Sequence, residues 1–165
     1  MLLERDRPLA ELARWWTEVG AGDGRLVLLS GEAGIGKTAV VRELERRISG
    51  RVLVGACDPL STPHPLRPLV DVASQIGGAV MAHLAAGNRV DVIVAALLAD
   101  LAASPSPTLL VIEDAHWADA ASLDLLRFLG RPSAVSLLRT GLTFHVSRFT
   151  LHASTSSRCS SSPSA

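Results

Sequence analysis

Apolar residues change period several times along the chain, and each change marks an element. From Pro8 to Val19 they fall at Leu9, Leu12, Trp16 and Val19, three and four apart, on one face of a helix that Gly20-Ala-Gly-Asp-Gly24 ends. Arg25-Leu-Val-Leu-Leu-Ser30 is apolar without alternation, the pattern of a strand buried on both faces of a parallel sheet. Val40, Val41, Leu44 and Ile48 predict a second helix, Ser49-Gly50 stops it, and Arg51-Val-Leu-Val-Gly-Ala56 predicts a second buried strand. After a Pro-rich loop over residues 58–68 the chain reads as helical. Leu66, Leu69, Ala73 and Ile76 form one stripe, Gly77-Gly78 breaks it, and Val90, Val94, Leu97, Leu98 and Leu101 form another. Ser104-Pro-Ser-Pro107 resets the chain into a third strand, Thr108-Leu-Leu-Val-Ile112. Asp119 is placed to cap a last helix with Leu123, Leu126 and Leu129 inward, closed by Gly130 and Pro132. Beyond it, Leu142, Phe144, Val146 and Phe149 alternate or nearly alternate with polar residues and permit one weak edge strand. Strands alternating with helices, and no internal repeat, predict an α/β fold of three layers around a mostly parallel sheet.

Composition adds a division. The 165 residues suit one domain, and 48% hydrophobic residues suffice for a core, which excludes a wholly disordered or collagen-like chain. The 16 basic and 16 acidic side chains cancel overall, but residues 1–124 hold every acid and 11 bases, net −5, while residues 125–165 hold five Arg and no acid. Seven Ser lie in residues 1–131 and ten in the last 34, so residues 132–165 read as a Ser-rich, low-complexity tail, disordered or not native to the domain. An acidic body lacks the clustered cations that displace DNA counterions, so specific nucleic-acid binding is not expected. The longest apolar run, Val92 to Ala99, is eight residues, against about 20 for a bilayer span, and predicts no membrane helix. Two distant cysteines, Cys57 and Cys159, and early acids in place of a secretory leader read as a reduced, cytoplasmic protein.

Lys37 is the single lysine in the chain. It belongs to Gly31-Glu32-Ala33-Gly34-Ile35-Gly36-Lys37-Thr38, which matches G-x-x-x-x-G-K-[ST] in full and sits between a buried strand and a helix, where a phosphate-binding loop must be. The glycines let the backbone turn and approach a polyphosphate, and backbone N–H groups with the helix N-terminus converge on the anion. Lys37 would then meet the β- and γ-phosphates and Thr38 would ligate Mg²⁺. The third strand ends in Glu113 and Asp114, on the sheet edge where ligands of parallel sheets collect. By position Glu113 is the metal partner and Asp114 the group that orients attacking water, a division that also works in reverse. His116 and Asp119 with these acids resemble a transition-metal cluster, but three carboxylates and one imidazole suit Mg²⁺ beside phosphate better than Zn²⁺. Asp119 reads as a helix cap, Trp117 as packing, Cys57 as a small buried thiol rather than a nucleophile, His64 and His83 as structural, and Arg46-Arg47 as a solvated helix end.

These residues resemble a family. Leu2-Leu-Glu-Arg5 with Leu9 and Leu12, the run from Leu28 to Thr38, Cys57-Asp-Pro-Leu-Ser-Thr-Pro63 with Pro65-Leu66, and Val111-Ile-Glu-Asp-Ala-His-Trp-Ala-Asp119 are similar to the N-terminal ATPase module of STAND-type AAA+ regulators, among them large LuxR-type bacterial transcriptional regulators and cyclase-linked relatives. The resemblance covers residues 1–131. It implies a P-loop NTPase domain that binds ATP with Mg²⁺ and works as a slow hydrolytic switch, followed by a helical lid, ligand-sensing repeats and a DNA-binding unit, none of which is visible here. Self-association through the module is a further partner reading. The resemblance also implies another buried strand after the last helix, ending in a polar or Arg sensor. The sequence departs from that pattern at Arg131, as a frameshift or truncation would, so the fold is expected to be incomplete on its C-terminal side. The leading expectation is thus an ATP·Mg²⁺ switch module. A stand-alone phosphotransferase or kinase, or an ATP-binding fragment without turnover, are its rivals.

Overall fold

The computed structural model describes residues 6–31, 34–58, 65–129 and 140–146, the last segment by its backbone. The elements in chain order are α1 (Asp6–Gly20), β1 (Arg25–Ser30), α2 (Lys37–Arg47), β2 (Arg51–Ala56), α3 (Arg67–Ile76), α4 (Gly78–Ala85), α5 (Val90–Ala103), β3 (Thr108–Glu113), α6 (Ala120–Leu129) and β4 (Thr140–Val146), with a 3₁₀ turn at Ala115–Trp117. The strands form one parallel sheet in the order β1-β4-β3-β2. Leu9 and Leu12 of α1 and Val40, Val41 and Leu44 of α2 cover one face over Leu109 and Val111. On the other, Leu69, Val72, Val80, Leu97, Leu101 and Leu125, drawn from α3 to α6, pack over Leu53, Leu110 and Ile112. Alternate residues of β3 thus feed two cores, which is why its sequence is apolar without a break. The result is the expected α/β architecture, a partial P-loop NTPase fold.

The two outer strands are finished differently. Along β2, Gln75 of α3 imitates a neighbouring strand: its Oε1 accepts from Val54 N–H at 3.0 Å and its Nε2 donates to Val54 C=O at 2.5 Å, while Asp71 Oδ2 accepts from Ala56 N–H at 3.2 Å. The free edge of β2 is thereby capped by side chains. Gly55 lets α3 come that close, because a Cβ there would lie 2.4 Å from the Pro68 carbonyl oxygen. On β1, Leu26 and Leu28 are 43% and 42% exposed.

Four elements differ from the sequence pattern. The run Arg25–Ser30 predicts a strand buried on both faces, yet β1 is an outer strand with no fully buried residue, and its alternate positions Leu26 and Leu28 are exposed. Residues 142–149 predict a weak edge strand, yet the strand Thr140–Val146 occupies the interior, between β1 and β3. Its register explains the position: Leu142 pairs with Leu26 and Leu110, and Phe144 with Leu28 and Ile112, so the apolar positions of the alternation fall in line with leucine and isoleucine on both sides. On α6 the buried residues are Ser122, Leu125 and Leu129, and Leu123 is 38% exposed. Ser122 turns inward because its N–H and hydroxyl both bond to Asp119, and that rotates the apolar stripe away from Leu123. On α5 the buried stripe is Ile93, Val94, Leu97 and Leu101, with Val90 40% exposed in the first turn. The expected tail outside β4 lies outside the described residues.

Candidate nucleotide site

Parallel strands place their carboxyl ends on one edge, and the chain leaves β1 at Gly31, β2 at Cys57 and β3 at Asp114 on that edge. After β1, Gly34 (φ +80°) and Gly36 (φ +93°) adopt the left-handed conformation that side chains disfavour. Gly36 forms the N-terminus of α2 without a side-chain cap, which leaves that end open to an anion. Lys37 follows, only 6% exposed, and its Nζ donates to the Gly31 carbonyl at 2.8 Å. The ammonium is thus folded back across the loop. Thr38 is half-buried beside it, and the Ile35 side chain is 57% exposed. Glu32 and Ala33 lie outside the described residues.

Glu113 is the last residue of β3. It alternates with Leu109 and Val111, so it falls on the face covered by α1 and α2. The carboxyl of Glu45 on α2 is pushed up, first by burial and then by the negative charge of Glu113. Asp114 then takes a left-handed backbone (φ 52°, ψ 37°), uncommon for a residue with a Cβ and often found at functional turns. That turn starts the 3₁₀ segment, closed by Trp117 N–H donating to the Asp114 carbonyl at 2.8 Å. His116 Nδ1 lies 4.0 Å from Asp114 Oδ1, and its ring meets the Trp117 ring at 5.0 Å between centroids. Trp117, expected as a packing residue, is 49% exposed.

With β4 between them, β1 and β3 end about 10 Å apart, two strand spacings, a gap suited to phosphates and a hydrated cation. The Thr38 hydroxyl and the Glu113 carboxylate are hard oxygen donors, and Mg²⁺ takes one or two such ligands while keeping water and phosphate oxygens. The residues present therefore fit ATP·Mg²⁺.

Other candidates resolve into structure. Asp119 does cap α6, its Oδ1 accepting from Ser122 N–H at 3.0 Å, but its Oδ2 also accepts from Leu66 N–H at 3.2 Å. That second bond spans 53 residues and had no local signal. Burial pushes the Asp119 carboxyl up, but hydrogen bonds from Ser122, Leu66 and Ala121 outweigh it and hold the group below its ordinary range. Cys57 is 4% exposed, and its thiol is pushed up to about 11, by burial first and then by the charges of Asp119, Asp114, Asp58 and Asp71. A protonated thiol is a poor nucleophile, in line with the structural reading. His83 bonds to the nearby Asn88 side chain at 2.7 Å, and Arg46 and Arg47 pair with Glu43 on the exposed end of α2. His64 lies outside the described residues.

Residues 1–139 match the family described as the AAA ATPase domain. The chain belongs to the AAA ATPase domain family. Membership implies binding and hydrolysis of nucleotide, with ATP and Mg²⁺ as its general requirements, and accounts for a loop of this pattern opposite strand-end acids. The chain is also similar to an uncharacterized protein of Rhizobium meliloti (strain 1021), 30% identical over 170 aligned positions that take in 76% of this chain and 16% of that protein. It therefore spans less than a fifth of that relative. Among the described residues no helix is long and apolar enough to cross a membrane.

Proposed function

We propose that this AAA ATPase domain is the ATP·Mg²⁺-dependent switch module of a signalling or transcriptional regulator, with slow hydrolysis in the complete protein. The observation that carries the reading is Lys37, buried and bonded across its own glycine loop at the start of α2, on the sheet edge where β3 delivers Glu113 and Asp114. Backbone N–H groups of residues 31–38 hold the phosphates, Lys37 balances the β- and γ-phosphate charge, Thr38 and Glu113 hold the Mg²⁺, and Asp114 orients the attacking water. Bound Mg²⁺ would neutralise charge developing on the phosphates. A slow enzyme suits a switch, because the nucleotide state must persist long enough to be read. Residues 1–131 form the core of the module, residues 132–165 are a Ser-rich tail apart from β4, and the protein works in the cytoplasm.

Titration with a fluorescent ATP analogue, followed by a phosphate-release assay with Mg²⁺, tests the reading. Tight binding with slow release to water is expected. Transfer to an acceptor other than water would instead mark a phosphotransferase, and tight binding without release an inactive fragment.

A further inference from the structure

The loop that carries the candidate catalytic acids is tied at both ends to the connection between β2 and α3. At its start Cys57 N–H donates to the Glu113 carbonyl at 3.0 Å, and at its finish Asp119 Oδ2 accepts from Leu66 N–H at 3.2 Å. Leu66 is 7% exposed and left-handed (φ 59°, ψ 27°), a conformation unfavourable for a leucine. Leu66 and Asp114 (φ 52°) are the two non-glycine residues with positive φ among those described, and both belong to these tied segments. A strained backbone persists only where its surroundings over-determine it. For Asp114 those surroundings include β3 on one side, the turn bond from Trp117 N–H to its own carbonyl at 2.8 Å and, five residues later, the Asp119 bond to Leu66. Resting on the reading of Asp114 as the water-orienting group, we propose that Asp119 is a positioning residue for hydrolysis: by clamping Leu66 onto the catalytic loop it holds Asp114 in its left-handed conformation.

The Asp119 oxygens divide the capping N–H bond from the Leu66 bond and share Ser122 between them, and this makes the clamp testable in the full chain. Oδ1 caps α6, while Oδ2 accepts from Leu66 N–H and from Ser122 Oγ at 2.5 Å. Asn caps a helix as well as Asp does but has one oxygen, so Asp119→Asn keeps the cap and turns an N–H donor toward Leu66. Asp119→Ser is a second capping variant without the spare acceptor. Both should lower kcat for phosphate release about tenfold, the loss expected when a residue of this kind relaxes, with KM for ATP within roughly twofold of wild type. Amide hydrogen exchange on the same proteins should accelerate at Leu66 and at residues 114–118 together and stay unchanged in α6 beyond the first turn that holds Ser122. Unchanged kcat in both variants, a loss confined to KM, or exchange that accelerates throughout α6 or nowhere would overturn the proposal. Asp114→Asn serves as the control for the underlying reading. If it releases phosphate at the wild-type rate, or if wild type binds ATP without turnover, the role of Asp114 fails, and coupled exchange at Leu66 and residues 114–118 alone decides whether the clamp exists.

Discussion

An ammonium that is 6% exposed has given up most of its water, and Lys37 recovers part of that loss from the Gly31 carbonyl. A bound polyphosphate would supply the countercharge. Lys37→Ala should therefore weaken ATP binding by about tenfold to a hundredfold, the equivalent of about 1.5–3 kcal/mol for a charge-assisted contact, as read by titration with a fluorescent analogue. The acids should behave otherwise. Glu113→Gln and Asp114→Asn act on metal and water, so binding should persist in both while phosphate release falls; lost binding with intact circular dichroism would contradict those roles. Cys57 makes a pH prediction. Its thiol is raised, so the neutral form prevails below about 11. Alkylation of Cys57 by iodoacetamide, read by peptide mapping apart from Cys159, should be slow at pH 8 and rise through pH 11, whereas fast labelling of Cys57 at pH 8 would mean an exposed, activated thiol.

Elements show where side-chain pattern stops informing and tertiary contact takes over. Gly55 is a test of such a contact: a Cβ would meet the Pro68 carbonyl oxygen at 2.4 Å and Pro68 Cα at 2.9 Å, both backbone, so neither can rotate away. Gly55→Ala should push α3 off the sheet, costing about 1–3 kcal/mol as overpacking does, and should lower the melting temperature measured by circular dichroism. A melting temperature equal to wild type would show that α3 adjusts freely. The extents of strands β1, β2 and β3 were legible in the sequence because each is a continuous apolar run bounded by Gly, Pro or acids, and the phosphate loop because its glycines and lysine keep a fixed spacing, signals contained within a few residues; the exposure of Leu26 and Leu28 on β1 was not, because an apolar run does not say which strand lies outermost. The interior place of β4 was not, because Leu142 and Phe144 alternate with polar positions as in an edge strand, and it is pairing with β1 and β3 that makes the strand central. The rotation of α6 was hidden for a similar reason: Leu123, Leu126 and Leu129 make a plausible stripe until Ser122 is drawn inward by Asp119. The acids Glu113 and Asp114 were visible, whereas the bond from Asp119 to Leu66 exists only once two distant loops meet.

For the whole molecule, the strand order β1-β4-β3-β2 means that β1 reaches β3 through β4 alone. A chain ending at residue 139 would keep the loop, the acids and every described helix but lose that link. It should bind ATP poorly and melt without a cooperative transition beside the full chain, and equal melting of the two would show that β1 is held by its helices. The same order has a consequence in time. Synthesis proceeds from the N-terminus, so the phosphate loop is complete near residue 38 while the strand that fixes it to the acid-bearing half begins at Thr140. At roughly 5–20 residues per second, the loop waits on the order of 5–20 s for its sheet. Until then α1, β1 and α2 form a fragment with unpaired backbone and uncovered leucines, a state for a chaperone to meet before any nucleotide does.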